Sequence, residues 1–232
     1  MYFSKKVISL LIFSQNNLGN QSCNFRIMRY IHKKTKYGYH MINLLKSYRK
    51  IMYSLSVILV QPNLNNIALV DVKTFSQLAA KKFCKITGIK GFFKNFYSGS
   101  FTNNKKLEIF KTVIVAEPKA ETRVIHELKS THIPIIAFCN TDNSLRYLDF
   151  PIILNTNSKF SSTILYYVIA KIYTVLMKKK HVRTRMRFKD FMVEKKIKKQ
   201  NIKKKNLRRR DSNPSLTGES HYIGHRTLKI IR

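Results

Sequence analysis

The sequence predicts a three-layer α/β domain whose mainly parallel sheet is covered by helices on both sides. Short runs rich in Ile recur along the chain, among them Ile135 to Phe138 and Phe150 to Leu154, and each is too short for a helix. Both faces of these runs are apolar, which is typical of parallel strands buried between two layers. Longer segments with apolar residues three and four apart lie between the runs. This alternation of strand and helix predicts right-handed crossovers around one sheet.

The remaining elements follow from the same patterns and from turn and capping residues. Further strands are predicted at Tyr39 to Leu44, Ile67 to Val72, Ile89 to Phe93 and Thr112 to Ala116. Four helices are predicted: one after a cap at Asn43, one from a cap at Thr74 to Gly88, one from Pro118 to Thr131, and one from near Ser158 to Met177.

The charge balance indicates a polyanionic partner. The 232 residues include 45 Lys and Arg against 11 Asp and Glu, which gives a formal net charge of +34. Self-repulsion makes such an imbalance costly unless a polyanion lies nearby, and nucleic acid is the obvious candidate. The three Cys have no paired spacing and are expected to be reduced thiols. No apolar run reaches the length of a membrane span, so we expect no membrane partner.

Cations alternate with aromatic rings between Cys23 and His40. Scattered solvated charge is the simpler interpretation, but guanidinium groups and aromatic faces can both stack on unpaired bases, which favours RNA contact. The predicted RNA-binding residues of this stretch are Phe25, Arg26, Arg29, Tyr30, Lys33, Lys34, Lys36 and Tyr37.

The sequence lacks the motifs of an α/β enzyme. No G-x-G-x-x-G or G-K-[ST] follows a strand, so no tight glycine turn lets the backbone approach a pyrophosphate. The seven His lack metal-ligand spacing. Asp142 and Asp149 could form an acid–base pair, but structural roles are favoured. We therefore expect no catalytic residues, no metal, no cofactor and no small-molecule substrate.

A polar elbow, Cys139 to Asp149, joins the two apolar runs at Ile135 and Phe150. It follows the carboxyl end of a strand, where open α/β sheets place functional groups. Asp142 is expected to accept turn amides in an Asx-type turn. Arg146 is expected to pair with a carboxylate and so to fix the elbow.

Four segments occur in the order found in a known family. The elbow reads C-N-T-D-N-S-L-R-Y-L-D, where that family has T-D-S-P-L-R-Y-V-D. The others are Phe96-Tyr-Ser-Gly-Ser-Phe-Thr-Asn103 for P-G-x-F-T-N, Tyr37-Gly-Tyr-His-Met-Ile-Asn-Leu44 for N-G-x-H-I-I-D-L, and Leu18-Gly19-Asn20 for L-G-H. Together they resemble the small-subunit ribosomal protein S2 family, and the resemblance extends over about residues 8–178.

The resemblance implies a Rossmann-like or flavodoxin-like sheet and a non-catalytic, structural role in the small ribosomal subunit. Its implied partners are small-subunit rRNA and neighbouring small-subunit ribosomal proteins. It makes the apolar opening stretch a first helix rather than a signal peptide. A short segment, 104–111, stands where bacterial members insert a long helical hairpin. Structural roles are implied for the motif residues Gly99, Thr102, Asn103, Asp142, Arg146 and Asp149.

The chain is expected to divide into an N-terminal helix and basic aromatic arm at 1–38, an α/β domain at 39–177, and a basic tail at 178–232. Because the tail has few apolar residues, most of it is expected to build no core and to stay disordered or loosely helical until it meets RNA. Its predicted RNA-binding residues are Lys178, Lys179, Lys180, Arg183, Arg185 and Arg187.

The sequence leaves a second function and other locations open. The favoured function is a structural constituent of the small ribosomal subunit, and the alternative is a free-standing RNA-binding or RNA-modifying α/β protein. The favoured location is the mitochondrion, because a composition rich in Lys, Asn, Ile and Tyr indicates AT-rich codons. In addition, Arg210-Asp-Ser-Asn-Pro214 can be back-translated into a tRNA TΨC arm, as if the reading frame ran into a tRNA gene. The alternatives are a plastid or the cytosolic ribosome of a reduced genome, and the short segment 104–111 is similar to that of cytosolic members.

Overall fold

Seven strands and six α-helices form within the residues that the computed structural model describes, which are 2–93, 96–102, 110–177 and 188–192. The strands are β1 (Ile31–Lys34), β2 (His40–Ile42), β3 (Ile67–Asp71), β4 (Lys90–Phe93), β5 (Thr112–Val115), β6 (Ile135–Cys139) and β7 (Phe150–Ile153). The helices are α1 (Tyr2–Phe13), α2 (Leu44–Val60), α3 (Gln77–Thr87), α4 (Thr122–Thr131), α5 (Lys159–Leu176) and α6 (Phe188–Met192).

Five of the strands form the central sheet, in the order β4-β3-β5-β6-β7, and every neighbouring pair is parallel. Renumbered along the chain, these strands run 2-1-3-4-5, which is the flavodoxin-like order. The predicted α/β fold with a mainly parallel sheet is confirmed. In this topology the strand order reverses between β3 and β5, and the crevice at their carboxyl ends is where such folds usually bind ligands.

Alternate residues of the strands enter two separate cores. On one side of the sheet, the α5 face, Leu69 and Ile114 belong to a core built with α2, α3 and α5. On the other side, the α4 face, Val70 and Val113 belong to a core built with α4 and a group of aromatic side chains. Every residue of β3, β5 and β6 is buried. The uninterrupted apolar runs in the sequence therefore reflect burial from both sides.

Capping residues explain where three helices begin or end. The Asn43 side chain accepts hydrogen bonds from Leu45 N and Lys46 N at the start of α2, as predicted. Gly88 ends α3 with a φ of +87°, a left-handed conformation that glycine adopts without steric cost. The Ser158 hydroxyl accepts from Ser161 N (3.0 Å) and begins α5.

Two predicted helix starts were wrong. Helix α3 begins at Gln77 rather than after Thr74, because Ser76 N and Gln77 N both donate to Lys73 O in a preceding turn. Helix α4 begins at Thr122 rather than at Pro118. A turn closed by hydrogen bonds to Glu117 O intervenes there.

The strand predicted at Tyr39 to Leu44 lies outside the central sheet. Its residues His40–Ile42 form β2, which pairs with β1 in a separate antiparallel ribbon. The ribbon turns through Gly38, whose φ is +84°, and the Thr35 hydroxyl accepts from Tyr39 N (3.0 Å) to close the turn. β1 was missed because Ile-His-Lys-Lys contains one apolar residue and does not alternate.

The segment after α5 contributes to the core, contrary to the expectation for the tail. Helix α6 packs against α3 and α5, and the Phe191 side chain is 2% exposed in the α5-face core. Phe188 packs edge-on against Phe160 and Tyr167, with ring centroids 5.6 and 5.9 Å apart. Two rings three residues apart lie on the same side of a helix, so one turn can be anchored even in a basic segment. The domain boundaries at 38 and 177 stay predictions.

No helix in the described ranges combines the length and the apolar character that crossing a membrane requires.

Candidate nucleic-acid interface

A basic segment, Phe25 to Tyr39, lies on the α4 face beside the elbow. Asn24 N donates to Thr141 O (2.8 Å), which joins the start of the segment to the elbow. A 3-10 helix, Phe25–Tyr30, begins there, and the Asn24 side chain accepts from Arg26 N. Ile27, within this 3-10 helix, is fully buried in the α4-face core. The segment is thus packed on its apolar side and faces solvent on its polar side.

Most of the predicted RNA-binding residues in the basic segment are exposed. Phe25 and Tyr37 are 85% and 83% exposed, and the segment contains no acidic residue. The exposed cations are Arg26, Arg29, Lys33, Lys34 and Lys36. Exposed rings beside cations can stack on unpaired bases while the cations bind phosphates.

Tyr30 lies in the core instead of on this surface. Its side chain is 6% exposed, and the Arg29 guanidinium lies 5.2 Å from the centroid of its ring. The predicted role of Tyr30 in base stacking does not fit this burial, because the ring has no free face for a base. A 3-10 helix has three residues per turn, so Ile27 and Tyr30 point inward together while Phe25 and Met28 point outward.

The segment Leu18–Asn20 holds the elbow against β2. Gly19 N donates to His40 O (2.8 Å), and Asn20 N donates to the Thr141 hydroxyl (2.8 Å). A Cβ on Gly19 would lie 2.3 Å from Thr141 Cγ2, so only glycine fits there. The Asn157 amide donates to Asn20 Oδ1 (2.9 Å). Motifs that are far apart in the sequence therefore meet at one place.

Arg146 takes no part in anchoring the elbow. Its side chain is exposed, and the ion pairs found among the described residues are Lys73–Glu117 (2.8 Å) and Lys119–Asp142 (2.9 Å). The expected ion pair of Arg146 was therefore wrong. Asp142 Oδ2 accepts from Lys119 and not from turn amides, so the expected Asx-type turn at Asp142 was also wrong.

The side chains of Asn143, Leu145 and Asp149 anchor the elbow in place of an ion pair of Arg146. The Asn143 amide donates to Glu117 Oε1 (3.2 Å), and Leu145 is buried in the α4-face core. At the end of the elbow, Asp149 Oδ2 accepts from Ile135 N (2.8 Å) while Asp149 N donates to Ile135 O (3.2 Å). Asp149 therefore ties the elbow to the start of β6.

Side chains fill the crevice at the carboxyl ends of β3 and β5. Glu117, two residues after the end of β5, accepts hydrogen bonds from Lys73 (2.8 Å), Thr156 (2.5 Å) and Asn143. The cavity left beside them has a volume of about 10 Å³, which is room for one water molecule at most. Ligand pockets for nucleotides or flavins are many times larger. The place where flavodoxin-like folds hold ligands is occupied here by the protein's own polar network.

Two further carboxyl groups lie buried next to this network. Glu121 Oε1 accepts from Val72 N (2.9 Å), while Oε2 has no hydrogen-bond partner among the described residues. Burial raises the pKa of Glu121 well above its ordinary value, and the nearby charges of Asp71 and Glu117 raise it further. Burial also raises the pKa of Asp71, although hydrogen bonds from Ser76 (2.7 Å) and from a tyrosine hydroxyl of α5 lower it in part.

Replacing Glu121 with Gln is expected to stabilise the protein at neutral pH. The folded chain holds a proton on Glu121 that the unfolded chain releases above its ordinary pKa near 4.5. The free energy of unfolding therefore falls as the pH rises from that value toward the raised folded pKa, by about 1.4 kcal/mol per pH unit. Glutamine imitates the protonated acid and removes this dependence. Denaturant unfolding at several pH values tests this prediction, and parallel stability curves for the two proteins would contradict it.

Glu127, a residue not noticed in the sequence, organises the loop that contains Gly99 and Thr102. Its carboxylate accepts from Gly99 N (3.0 Å), Phe101 N (2.5 Å) and the Thr102 hydroxyl (3.3 Å). Phe101 is buried and stacks on Phe96, with ring centroids 5.5 Å apart. Gly99 and Thr102 are thus brought together in a structural loop. The one feature of the sequence that could have indicated this role is that Glu127 is the only acidic residue within α4.

Replacing Glu127 with Ala is expected to lower the free energy of unfolding by about 1–3 kcal/mol, because it leaves two backbone N–H groups without their acceptor. Glu127→Gln is the matched control, since it keeps one of the two acceptor oxygens while it removes the other together with the charge. The alanine variant should therefore have the lower denaturant midpoint of the two. Equal midpoints for both variants would show that these hydrogen bonds do not hold the loop.

Some predicted residues lie outside the described ranges, and their roles stay predictions. They are Asn103, Lys178, Lys179, Lys180, Arg183, Arg185 and Arg187. Within the described ranges, no group of three or more His, Cys, Asp and Glu side chains could hold a metal ion. The three Cys are free thiols.

Comparison with known proteins identifies the family. The family described as Ribosomal protein S2 matches residues 107–175, which include β5, β6, the elbow and β7. The small ribosomal subunit protein uS2 of Chlamydomonas reinhardtii is 30% identical over 166 residues, which are 71% of this chain and 60% of that protein. The uS2 protein of Schistosoma japonicum is 29% identical over 170 residues, 72% of this chain and 61% of that protein. The chain belongs to the ribosomal protein S2 family.

This S2-family chain spans about three-fifths of the length of the uS2 relatives it matches. Leu18–Asn20 and the elbow form one joint that holds the basic segment, while Gly99 and Thr102 belong to the loop closed by Glu127.

Proposed function

We propose that this S2-family chain is a structural constituent of the small ribosomal subunit, where it binds small-subunit rRNA and supports translation. The carrying observation is its similarity to small ribosomal subunit proteins named uS2 over 71% of its residues. The basic segment supports the proposal because it presents cations and rings without any acidic residue. The filled crevice after β3 and β5 leaves no room for a substrate at the usual position of the fold.

The basic segment binds rRNA in two ways. Its five exposed cations bind phosphates, which contributes affinity without choice of sequence. Phe25 and Tyr37 stack on unpaired bases, for which an exposed ring at the edge of a basic surface is suited. The joint between Gly19 and Thr141 fixes the segment, so less conformational entropy is lost on binding than for a free arm.

The proposal also includes neighbouring small-subunit ribosomal proteins as partners and the mitochondrion as the location. The location is supported by the AT-rich codon usage that the composition indicates and by the tRNA-like back-translation near Arg210. The nucleotide sequence tests the second point, because codons there that cannot form a tRNA arm would remove that support. Fractionation of the source cell, followed by detection of the chain in organellar or cytosolic ribosomes, tests the location itself.

Co-sedimentation tests the function. A stoichiometric ribosomal protein remains with small-subunit particles through a high-salt wash, whereas a free-standing RNA-binding protein is released. Release of the chain into the wash, so that the washed particles hold fewer than one copy each, would favour the free-standing alternative.

Binding to an rRNA transcript at several salt concentrations separates the two modes of contact. Replacing Lys33, Lys34 and Lys36 with Ala should flatten the dependence of log affinity on log salt by about 0.7–0.9 for each phosphate that the variant no longer binds. Replacing Phe25 and Tyr37 with Ala should weaken binding with little change in slope, because stacking displaces no counterions. Tyr97→Ala is the matched control, since this ring is 74% exposed but lies outside the basic segment. Equal losses for Tyr97 and for the segment's rings would contradict specific stacking.

A further inference from the structure

The exposed side of α4 is basic. Val124 and Leu128 are buried against the sheet, and Arg123, His126 and Lys129 face solvent. The single acid of this helix, Glu127, is directed to the loop N–H groups of Gly99 and Phe101 and leaves the exposed side without negative charge. α4 therefore carries a second positive surface, separate in sequence from the basic segment.

This surface continues onto the elbow through Tyr147. Lys129 Nζ donates to the Tyr147 hydroxyl (3.1 Å) and lies 4.5 Å from the centroid of its ring. The hydrogen bond and charge of Lys129, and to a smaller extent the charge of Arg146, lower the pKa of Tyr147. The two cations thus lie near the same phenol, on two different elements. The tyrosine ring is 48% exposed beside them.

The backbone at Tyr147 is held in a costly conformation. Its φ is +63°, in the left-handed region, which is unfavourable for a residue with a Cβ. Gln15 and His132 also have positive φ, but they follow the ends of α1 and α4, where such a conformation is common. Tyr147 instead lies within the elbow, between buried Leu145 and the anchored Asp149. Strain fixed in this way is typical of residues that a fold positions for a contact.

We propose that Arg146 and Lys129 bind one phosphate of the rRNA backbone. Arg146 adjoins Tyr147 in sequence, and Lys129 contacts Tyr147 in space. The inference rests on the proposed function, since it names a second rRNA contact of the same protein. Arg146 supplies a planar fork of donors and has no ion pair among the described residues, while Lys129 supplies a point charge oriented by the Tyr147 hydroxyl. The exposed face of the Tyr147 ring packs on the adjoining sugar or base.

The elbow gives this site its connection to the basic segment. Thr141, at its beginning, accepts the hydrogen bond from Asn24, and Tyr147, near its end, holds Lys129 of α4. The elbow therefore links both positive surfaces on one side of the sheet. RNA is favoured over an acidic protein segment because both surfaces place at least one exposed aromatic ring beside cations.

The test compares Arg146→Ala, Lys129→Ala and the double variant in binding to a small-subunit rRNA transcript over a series of salt concentrations. Each single substitution should weaken binding about tenfold, and the double substitution should reduce the salt slope by about 0.7–0.9, which is the contribution of one phosphate. Because both cations serve one phosphate, the double variant should lose less than the product of the two single effects. Lys85→Ala is the matched control, since it removes an exposed charge from α3 on the opposite face and should leave the slope unchanged.

Unfolding midpoints of all variants are measured alongside, and they should match the parent because both side chains are exposed. Unchanged affinity and slope in the double variant would overturn the proposal. The proposal would also be overturned if the double variant bound rRNA like the parent but were poorly incorporated into small-subunit particles. That result would assign the site to an acidic protein neighbour. The proposed function fails separately, if the parent chain neither binds the transcript nor stays with the particles.

Discussion

Replacing Phe191 with Ala is expected to lower the free energy of unfolding by about 3–5 kcal/mol, the usual cost of removing a fully buried ring. Phe191 is 2% exposed and packs edge-on against Tyr167 of α5, with ring centroids 5.6 Å apart. A five-residue helix has no stability of its own, so α6 depends on this packing. Chemical denaturation of the full chain measures the loss. The half-buried Phe188 is the matched control, and its replacement by Ala should cost less.

Truncation provides an independent check on the same feature. A chain that ends at Met192 should keep the parent's denaturant midpoint, whereas a chain that ends at Met177 should lose about as much stability as Phe191→Ala. A midpoint unaffected by removal of 178–232 would show that α6 adds nothing to the core. That result would restore the original expectation for the basic tail.

Replacing Gly19 with Ala is expected to cost about 2–3 kcal/mol, because the new Cβ would lie 2.3 Å from Thr141 Cγ2. Thr141 cannot move away cheaply, since it is fully buried and its hydroxyl and carbonyl accept from Asn20 N and Asn24 N. Differential scanning calorimetry should show a lower Tm. RNA binding measured below that Tm should also weaken, since the joint that fixes the basic segment is disturbed.

Thr141→Ser in the Gly19→Ala background tests whether the clash is the cause. Serine removes the Cγ2 atom that is closest to the new Cβ and keeps the hydroxyl that accepts from Asn20 N. The double variant should recover part of the lost stability, with a favourable coupling between the two sites. If serine gives no recovery, the cost of Gly19→Ala has another origin than this contact.

Local patterns in the sequence were sufficient for the central sheet and several helix ends. The apolar runs of β3, β5, β6 and β7 are short, bounded by turn formers and buried on both sides, so their composition determines them. Asn43 and Gly88 could be read directly, because a cap depends on its own residue type and neighbours within one turn.

Contacts between distant segments were beyond the reach of those patterns. Arg146 resembles a buried ion-pair partner in sequence, but Asn143 and Asp149 anchor the elbow and leave it exposed. In sequence, Tyr30 lies beside cations just as the exposed rings of the basic segment do. Only its inward position on the 3-10 helix buries it. The positions of Arg146 and Tyr30 depend on contacts with residues that are distant in sequence, and local patterns do not contain those contacts.

The joint between the basic segment and the elbow also constrains the order of events during synthesis. Asn20 N bonds to Thr141, 121 residues later, and the Asn20 side chain bonds to Asn157, 137 residues later. The ribbon of β1 and β2 can pair as soon as it is made, since its strands are close in sequence. Its attachment to the sheet must wait until the chain has been translated through the elbow and β7. The basic segment, which we propose contacts rRNA, is therefore made well before the elbow and yet reaches its final position only after the elbow and β7 have been made.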